Sequence, residues 1–542
     1  MSQKFTKILG LLALTSMQGV MDAQKINWAQ AGPIYTAGRI RNMIIDKNDP
    51  TNNTLYVGSV ASGIFISTNS GKNWAPINDQ GTVRNISYLA QSVDKIIYAA
   101  TGEGFLRYGQ KSKAQPGTGL YKLSGTNLVQ VASSAITGTV INRIACSPVD
   151  ANKIAIATNL GILVSNNGGA SFSSIAGISS TVDVAYGMDV KFSNSGILYC
   201  SVGNERGHQP FTNVSGKVYK STDANLTTFT NITPTANVLT DSNYGRIEIA
   251  IAPSNDNVIY VSCANKNTSL PSGGSGVVPN SASLNAIFVS YDGGNTWGLL
   301  LQGSPQQDPL SNGGTISSGD YAHVITVSPN NPDWLFIGGY NGSFFIRTGG
   351  TNLAPVGQWS SLGFSTIPNT QFYVHENIHD IKFTPNGSFG TLFIITDGGI
   401  FRDVDGFSSQ PFYKGLVTGQ FNSVSIEKYP ASGGLAASGS SVTPYSGFIG
   451  GTGSNGMVYY SGTSSNVIQE SNYVGGEVYN VEYSKILNGA AYLTSGNGTL
   501  FKTANAKSSS PAIVNNNKFS GALSKIAPAA VTFFNDGYST GT

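Results

Sequence analysis

The 542-residue chain carries 31 Lys and Arg against 28 Asp and Glu, and charged residues make up only 11% of it, where an average soluble domain has about 25%. So few charges argue against long surface helices, and a formal net charge of +3 is too small and dispersed to favour nucleic acid or an anionic membrane surface as a partner. The 66 glycines, the 10% of aromatic residues, and Val, Ile, Tyr and Phe alternating between Gly- and Asn-rich turns point instead to many short strands.

The N-terminus reads as an export signal, with Lys4 and Lys7 ahead of an apolar stretch over 8–15 and a cleavage point between Ala23 and Gln24. No Cys stands directly after that point, which argues against a lipid anchor. No later apolar run approaches the roughly 20 residues of a membrane-spanning helix. Loss of 1–23 removes two Lys and one Asp and leaves a net charge of +2. The remaining chain, 24–542, is expected outside the cell or on its surface. Cys146, Cys200 and Cys263 sit in strand-like stretches and read as small core residues, with a Cys200–Cys263 bridge as the alternative.

From Arg41 onward one unit recurs: an apolar strand, a turn often carrying Pro or Asn, a second strand ending near Tyr-x-Gly, a third strand, and a Ser-x-Asp-x-Gly-x-Thr-Trp turn. The most complete turn runs from Ser290 to Trp297 with Asp292, Gly294 and Thr296. Close relatives run from Ser67 to Trp74 with Asn69, and from Ser165 to Phe172 with Asn167. Weaker copies follow Ser221 and Asp223, Asp403 and Asp405, and Thr503 and Asn505.

Units start near Arg41, Arg84, Arg143, Met188, Arg246, His323, His379, Asn422 and Tyr479. Most spacings fall near the roughly 40–50 residues of a four-stranded propeller blade. The expected fold is therefore all-β, a multi-bladed β-propeller of about nine four-stranded repeats. It forms either a single ring or one ring over 24–415 with part of a second over 416–542, and Trp28 is expected in an outer strand that closes the ring.

These turns resemble those of the Asp-box (BNR-repeat) propellers, which include sialidases, xyloglucan-degrading glycoside hydrolases, sortilin-like receptors and photosystem assembly factors. The similarity runs from about Trp28 to Asn505. Within such a turn the Asp or Asn caps backbone N–H groups, the Gly takes a positive φ and the aromatic residue packs on the neighbouring blade. This makes the box a structural device. Calcium binding through Asp403, Asp405 and Gly406 is disfavoured because the other ligands of a calcium loop are missing. No metal or cofactor is expected.

The boxes join third to fourth strands, whereas insertions over 101–118, 203–215, 264–284, 302–320 and 363–376 belong to the opposite face. Loops on a rigid scaffold are where function concentrates. The candidate ligand-binding residues on that face are Arg41, Arg84, Arg206, His208, His323, His375, His379 and Asp397, with Arg41 and Arg84 aligned with His323 and His379 in repeat register. Arg143 and Arg246 begin innermost strands in the same way.

Glycoside hydrolysis needs two carboxyl groups across the scissile bond in most families. The resemblance implies a catalytic Asp in a Thr-Asp-x-Gly-Gly turn of the first blade, but Val60 stands there in Ser59-Val60-Ala61-Ser62-Gly63. Asp397 keeps a Thr-Asp-Gly-Gly turn in a late blade, and Glu103 and Glu205 are its candidate partners. The early Arg-Ile-Pro signature of sialidases is absent, with GRIRNM over 38–43 a faint echo. The sequence favours a secreted or cell-surface binding or scaffold module for a glycan or protein ligand, and a glycoside hydrolase is the alternative.

Overall fold

The computed structural model describes residues 37–515 except 78–80, 107–114, 132–135, 176–177, 179–185, 204–214, 236–238, 240, 267–281, 305–306, 313–316, 363–372, 385–390, 404–408, 427–447, 454–455, 461–468, 471–477, 484–490, 496–499 and 504–512. The export signal, Trp28, Asp405, Gly406 and Asn505 lie outside the described residues. Among those described, the backbone forms nine four-stranded antiparallel sheets, at 40–76, 86–130, 141–174, 186–231, 244–302, 324–361, 378–411, 421–470 and 478–515. The helical content among the described residues is a single 3-10 turn, Asp241–Asn243.

Many strands in these sheets are buried from end to end, among them Ile97–Thr101, Ile154–Thr158 and Leu198–Gly203. A sheet packed on both faces needs apolar residues on both, which is why such strands read as continuous apolar runs instead of alternating with polar residues. Each sheet packs against the next in sequence through their first strands, and the first strand of the seventh sheet, Ile378–Thr384, returns to that of the first, Ile40–Ile45. Seven sheets thus close a ring with their first strands around its centre, a β-propeller. The eighth and ninth sheets pack on one another.

Ring closure is chemical as well as steric. Met43 N–H donates to Asp380 Oδ2 at 3.2 Å, Gly38 N–H to Thr418 Oγ1 at 2.7 Å and Trp74 Nε1–H to the Phe412 carbonyl at 2.7 Å. Trp74 lies with Phe393 and Ile395 of the seventh sheet in one apolar cluster. Phe172 likewise packs on Tyr98 of the second sheet, and Trp297 on Tyr199 and Val218 of the fourth, so these turn aromatics join a sheet to its predecessor.

The turns themselves share one geometry. Ser290 Oγ accepts Gly294 N–H at 2.8 Å, and Asp292 Oδ1 accepts the N–H groups of Asn295 and Thr296 at 3.0 and 2.8 Å. Ser67 with Asn69 and Ser165 with Asn167 repeat the pattern. Gly71, Gly169 and Gly294 all have φ between 83° and 90°, where a side chain is disfavoured.

A bulge recurs near the start of the first strands, leaving Arg41, Ser87, Asn142, Met188 and His379 as the extra residue. Bulges re-aim side chains, and here they turn Arg41 and His379 toward the ring centre. The repeat register assigned to Arg84 is corrected by this pattern. Arg84 is exposed two residues ahead of the strand Ile86–Gln91, and Ser87 holds the place equivalent to Arg41 and His379. His323 also lies outside that register, because the sixth sheet's first strand, Val324–Val327, has no bulge and begins after it. The three cysteines are free, Cys200 and Cys263 buried and Cys146 partly so.

Truncating a buried Trp typically costs about 3–5 kcal/mol, and Trp74→Ala should lower the unfolding free energy by an amount in that range. Trp297→Ala should cost less, because Trp297 is only partly buried and its indole N–H finds no acceptor among the described residues. Urea unfolding of both variants checks this, and equal losses would contradict the special place of Trp74 at ring closure.

Candidate functional site in the ring centre

Connections between sheets and connections from second to third strands meet at one end of the ring and fill it with polar groups. Arg41 donates from Nη1 to the Tyr321 carbonyl at 3.2 Å and from Nη2 to the Phe105 carbonyl at 3.0 Å, and Nη1 faces His379 Nδ1 at 3.0 Å. Because Arg can only donate, His379 Nδ1 must accept. The other ring nitrogen then carries the proton and donates to Asp397 Oδ1 at 2.7 Å. Tyr321 donates its hydroxyl proton to the same oxygen at 2.7 Å and accepts from Arg39 Nη1 at 2.8 Å. Arg39 pairs with Glu103, and Arg41 Nη2 lies 3.7 Å from Glu103 Oε1.

A second cluster completes this end. Arg246 donates to Glu248 Oε1 from Nε at 2.9 Å and also from Nη2, which reaches the His323 carbonyl at 3.0 Å, while Nη1 reaches the Asp320 carbonyl at 3.1 Å. Arg143 Nη2 approaches Glu248 Oε1 at 3.3 Å. The guanidinium groups of Arg246 and Arg143 both lie over the Phe105 ring, 3.5 and 4.8 Å from its centroid. His323 Nε2 meets Ser262 Oγ at 2.8 Å.

Burial first and Arg41 second push the His379 pKa down to about 3, with Asp397 opposing them. Burial, Arg246 and Arg143 likewise hold His323 well below its ordinary value. Burial alone would raise Glu248, but Arg143 and Arg246 outweigh it and keep the carboxylate below its usual range. Both histidines are therefore neutral in the folded chain at neutral pH.

Farther along the first strands stands a level of residues in equivalent register, among them Asn42, Tyr88, Arg143, Asp189, Glu248 and Asp380. Asp189 accepts Val190 N–H at 2.9 Å, Ile249 N–H of the next sheet at 3.0 Å and Lys191 Nζ at 2.6 Å. Asp380 does the same with Ile381, Met43 and Lys382, the last at 3.4 Å. Between these groups lies a cavity of about 140 Å³ lined by Tyr88, Arg143, Lys191, Glu248, His379, Asp380 and Lys382, among others. The side chains of Lys191 and Lys382 are 31% and 34% exposed, against 3% for His379, so the cavity meets solvent at the end that carries the turns at 67–74, 165–172 and 290–297.

Of the residues singled out from sequence, Arg41, His379, Asp397 and Glu103 meet in one network and His323 stands in the adjoining cluster. All five are buried, so they fill the ring end instead of fringing an open mouth. His375 is buried beside Gly398, with Nδ1 2.9 Å from the Glu376 carbonyl. Arg84 is exposed and donates to the Gly81 carbonyl at 3.1 Å. Glu205, Arg206 and His208 lie outside the described residues. Phe105 and Tyr321 were not singled out. Phe105 lies in the polar insertion over 101–118 and Tyr321 directly follows the one over 302–320, and neither carries a local pattern that marks it. Val60 is buried in the first sheet's turn, and no group of three or more His, Cys, Asp or Glu able to hold a metal occurs among the described residues.

No family model matches the chain, and no curated protein matches it in sequence. Among solved structures it is similar to an ancestral GH74 enzyme, at 16% identity and a TM-score of 0.57 over 90% of this chain. The chain spans 63% of that enzyme's length. It is also similar to the GH74 enzyme of Niastella koreensis, at 18% identity, with 94% of this chain and 70% of that one covered and a TM-score of 0.42. YCF48 bound to D1 peptide follows at 12% identity, 68% and 93% coverage and a TM-score of 0.41. At such identities the likeness to the ancestral enzyme is one of fold, the β-propeller.

Between pH 6.5 and about 3 the unfolded chain holds a proton on His379 that the folded chain does not, so stability should fall as pH drops through that window. His379→Gln should flatten the fall in denaturant midpoint between pH 7 and pH 5. A slope identical to that of the parent chain would contradict a neutral, buried imidazole.

Proposed function

We propose that this chain is an exported, Asp-box-type propeller that binds a glycan or protein ligand without cleaving it. The carrying observation is the state of its two described candidate carboxylates. Asp397 is buried and accepts from both His379 and Tyr321, while Glu103 is buried and paired with Arg39. A general acid has to meet the glycosidic oxygen and a nucleophile the anomeric carbon. Side chains so engaged hold the protein together instead.

The Ser and Asp or Asn geometry of the turns at 67–74, 165–172 and 290–297 supports the Asp-box assignment. The ligand meets the end opposite those turns, where the insertions over 101–118, 203–215, 264–284, 302–320 and 363–376 emerge from a ring stiffened by the buried network. In this reading the export signal over 1–23 delivers the chain to the cell surface or beyond, and the eighth and ninth sheets begin a second ring over 416–542. Hydrolysis is the second reading, favoured by the shared fold with a GH74 enzyme.

A glycan array on residues 24–542, scored for both retention and release of reducing ends, separates the two. Retention without release is expected. Asp397→Ala should lower the unfolding free energy by roughly 1–3 kcal/mol, the cost of a buried partner left unsatisfied. Release that disappears in Asp397→Asn or Glu103→Gln with an unchanged melting midpoint would establish a hydrolase.

A further inference from the structure

The opposite end of the ring centre carries a second arrangement, independent of the reading above. Lys191 and Lys382 project from the fourth and seventh sheets, each two residues beyond an Asp on its own strand. Each Asp is already held by two backbone N–H groups, one from its own sheet and one from the next. An ammonium group has three N–H donors, and one from each Lys faces that Asp. The remaining four have no protein acceptor among the described residues.

Lys191, Lys382 and Tyr88 line one cavity. Arg143 enters the same cavity from the third sheet. Three cations, Arg143, Lys191 and Lys382, line the cavity with two carboxylates, Glu248 and Asp380, while Asp189 pairs with Lys191. The two ammonium groups are partly exposed and keep donors free, and a carboxylate with its four lone-pair sites matches those donors.

We propose that this cavity is a binding site for a small free carboxylate anion of formate or acetate size, held between Lys191 and Lys382. Its volume, about 140 Å³, corresponds to four or five water molecules at roughly 30 Å³ each. A carboxylate of one or two carbons fits within that volume. Entry is from the box-carrying end, because the other end is filled by Arg41, His379 and Tyr321.

Isothermal titration of the purified chain with sodium acetate and sodium formate, at an ionic strength held constant with sodium perchlorate, tests the site. Saturable binding at one site per chain is expected. It should weaken at least tenfold in Lys382→Met and in Lys191→Met. Tyr88→Phe removes only a hydroxyl and guards against a Lys variant that fails to fold; it should weaken binding severalfold at an unchanged melting midpoint. Glucuronate should give no saturable heat. No saturable heat with either small anion, equal affinity in the folded variants, or glucuronate binding as tightly as acetate would each overturn the proposal.

Discussion

A sheet that is apolar on both faces has no stable existence alone, and in this protein every sheet of the ring depends on a neighbour on either side. Burial supplies the attraction between sheets but little of the register, since apolar contact is non-directional. Register comes from short polar side chains on the first strands that reach the backbone of the next. Asn42 bonds both N–H and carbonyl of Leu89 at 2.9 Å, Asp189 takes Ile249 N–H, and Asp380 takes Met43 N–H. The eighth and ninth sheets use Ser423 on Val481 N–H in the same way. Burying Asp189 and Asp380 is tolerable because two N–H groups and a Lys compensate each charge.

The ring centre built on this scaffold has two unlike halves. One is filled by side chains drawn from distant parts of the chain, with Arg41, His379, Tyr321 and Asp397 each satisfying the next. Removing one member would leave its partners buried without compensation, which makes the network a rigid floor for the loops above it. The other half keeps room between its charges. Residue types that suggest catalysis in a sequence, His beside Asp and Arg beside Glu, here serve cohesion in the first half and leave free donors in the second.

The repeat was legible because turn residues mark it. Gly71, Gly169 and Gly294 require a positive φ, and the Ser and Asp or Asn of each turn are needed for its own hydrogen bonds. Nine units and their four strands followed. Finer register did not, because one extra residue at a bulge shifts which side chain faces inward; Arg84 was thereby matched to Arg41, where the geometry pairs Ser87 with it. The grouping of Arg41, Glu103, His379 and Asp397 at one end was anticipated from topology, but their burial was not. Burial depends on Phe105, whose carbonyl meets Arg41 64 positions away, and on Tyr321, whose ring meets His379 58 positions away, and such contacts leave no local pattern.

Closure also sets an order in time. Arg41 and His379 are 338 residues apart, as are Trp74 and Phe412. At a synthesis rate of about 5–20 residues per second, roughly 17–70 s pass between the appearance of one partner and the other. Throughout that interval the first sheet has one apolar flank open and Trp74 has no pocket to enter. The nascent chain is an open arc that becomes a ring only when the seventh sheet emerges, and its exposure to misassociation is greatest just before its stability is complete.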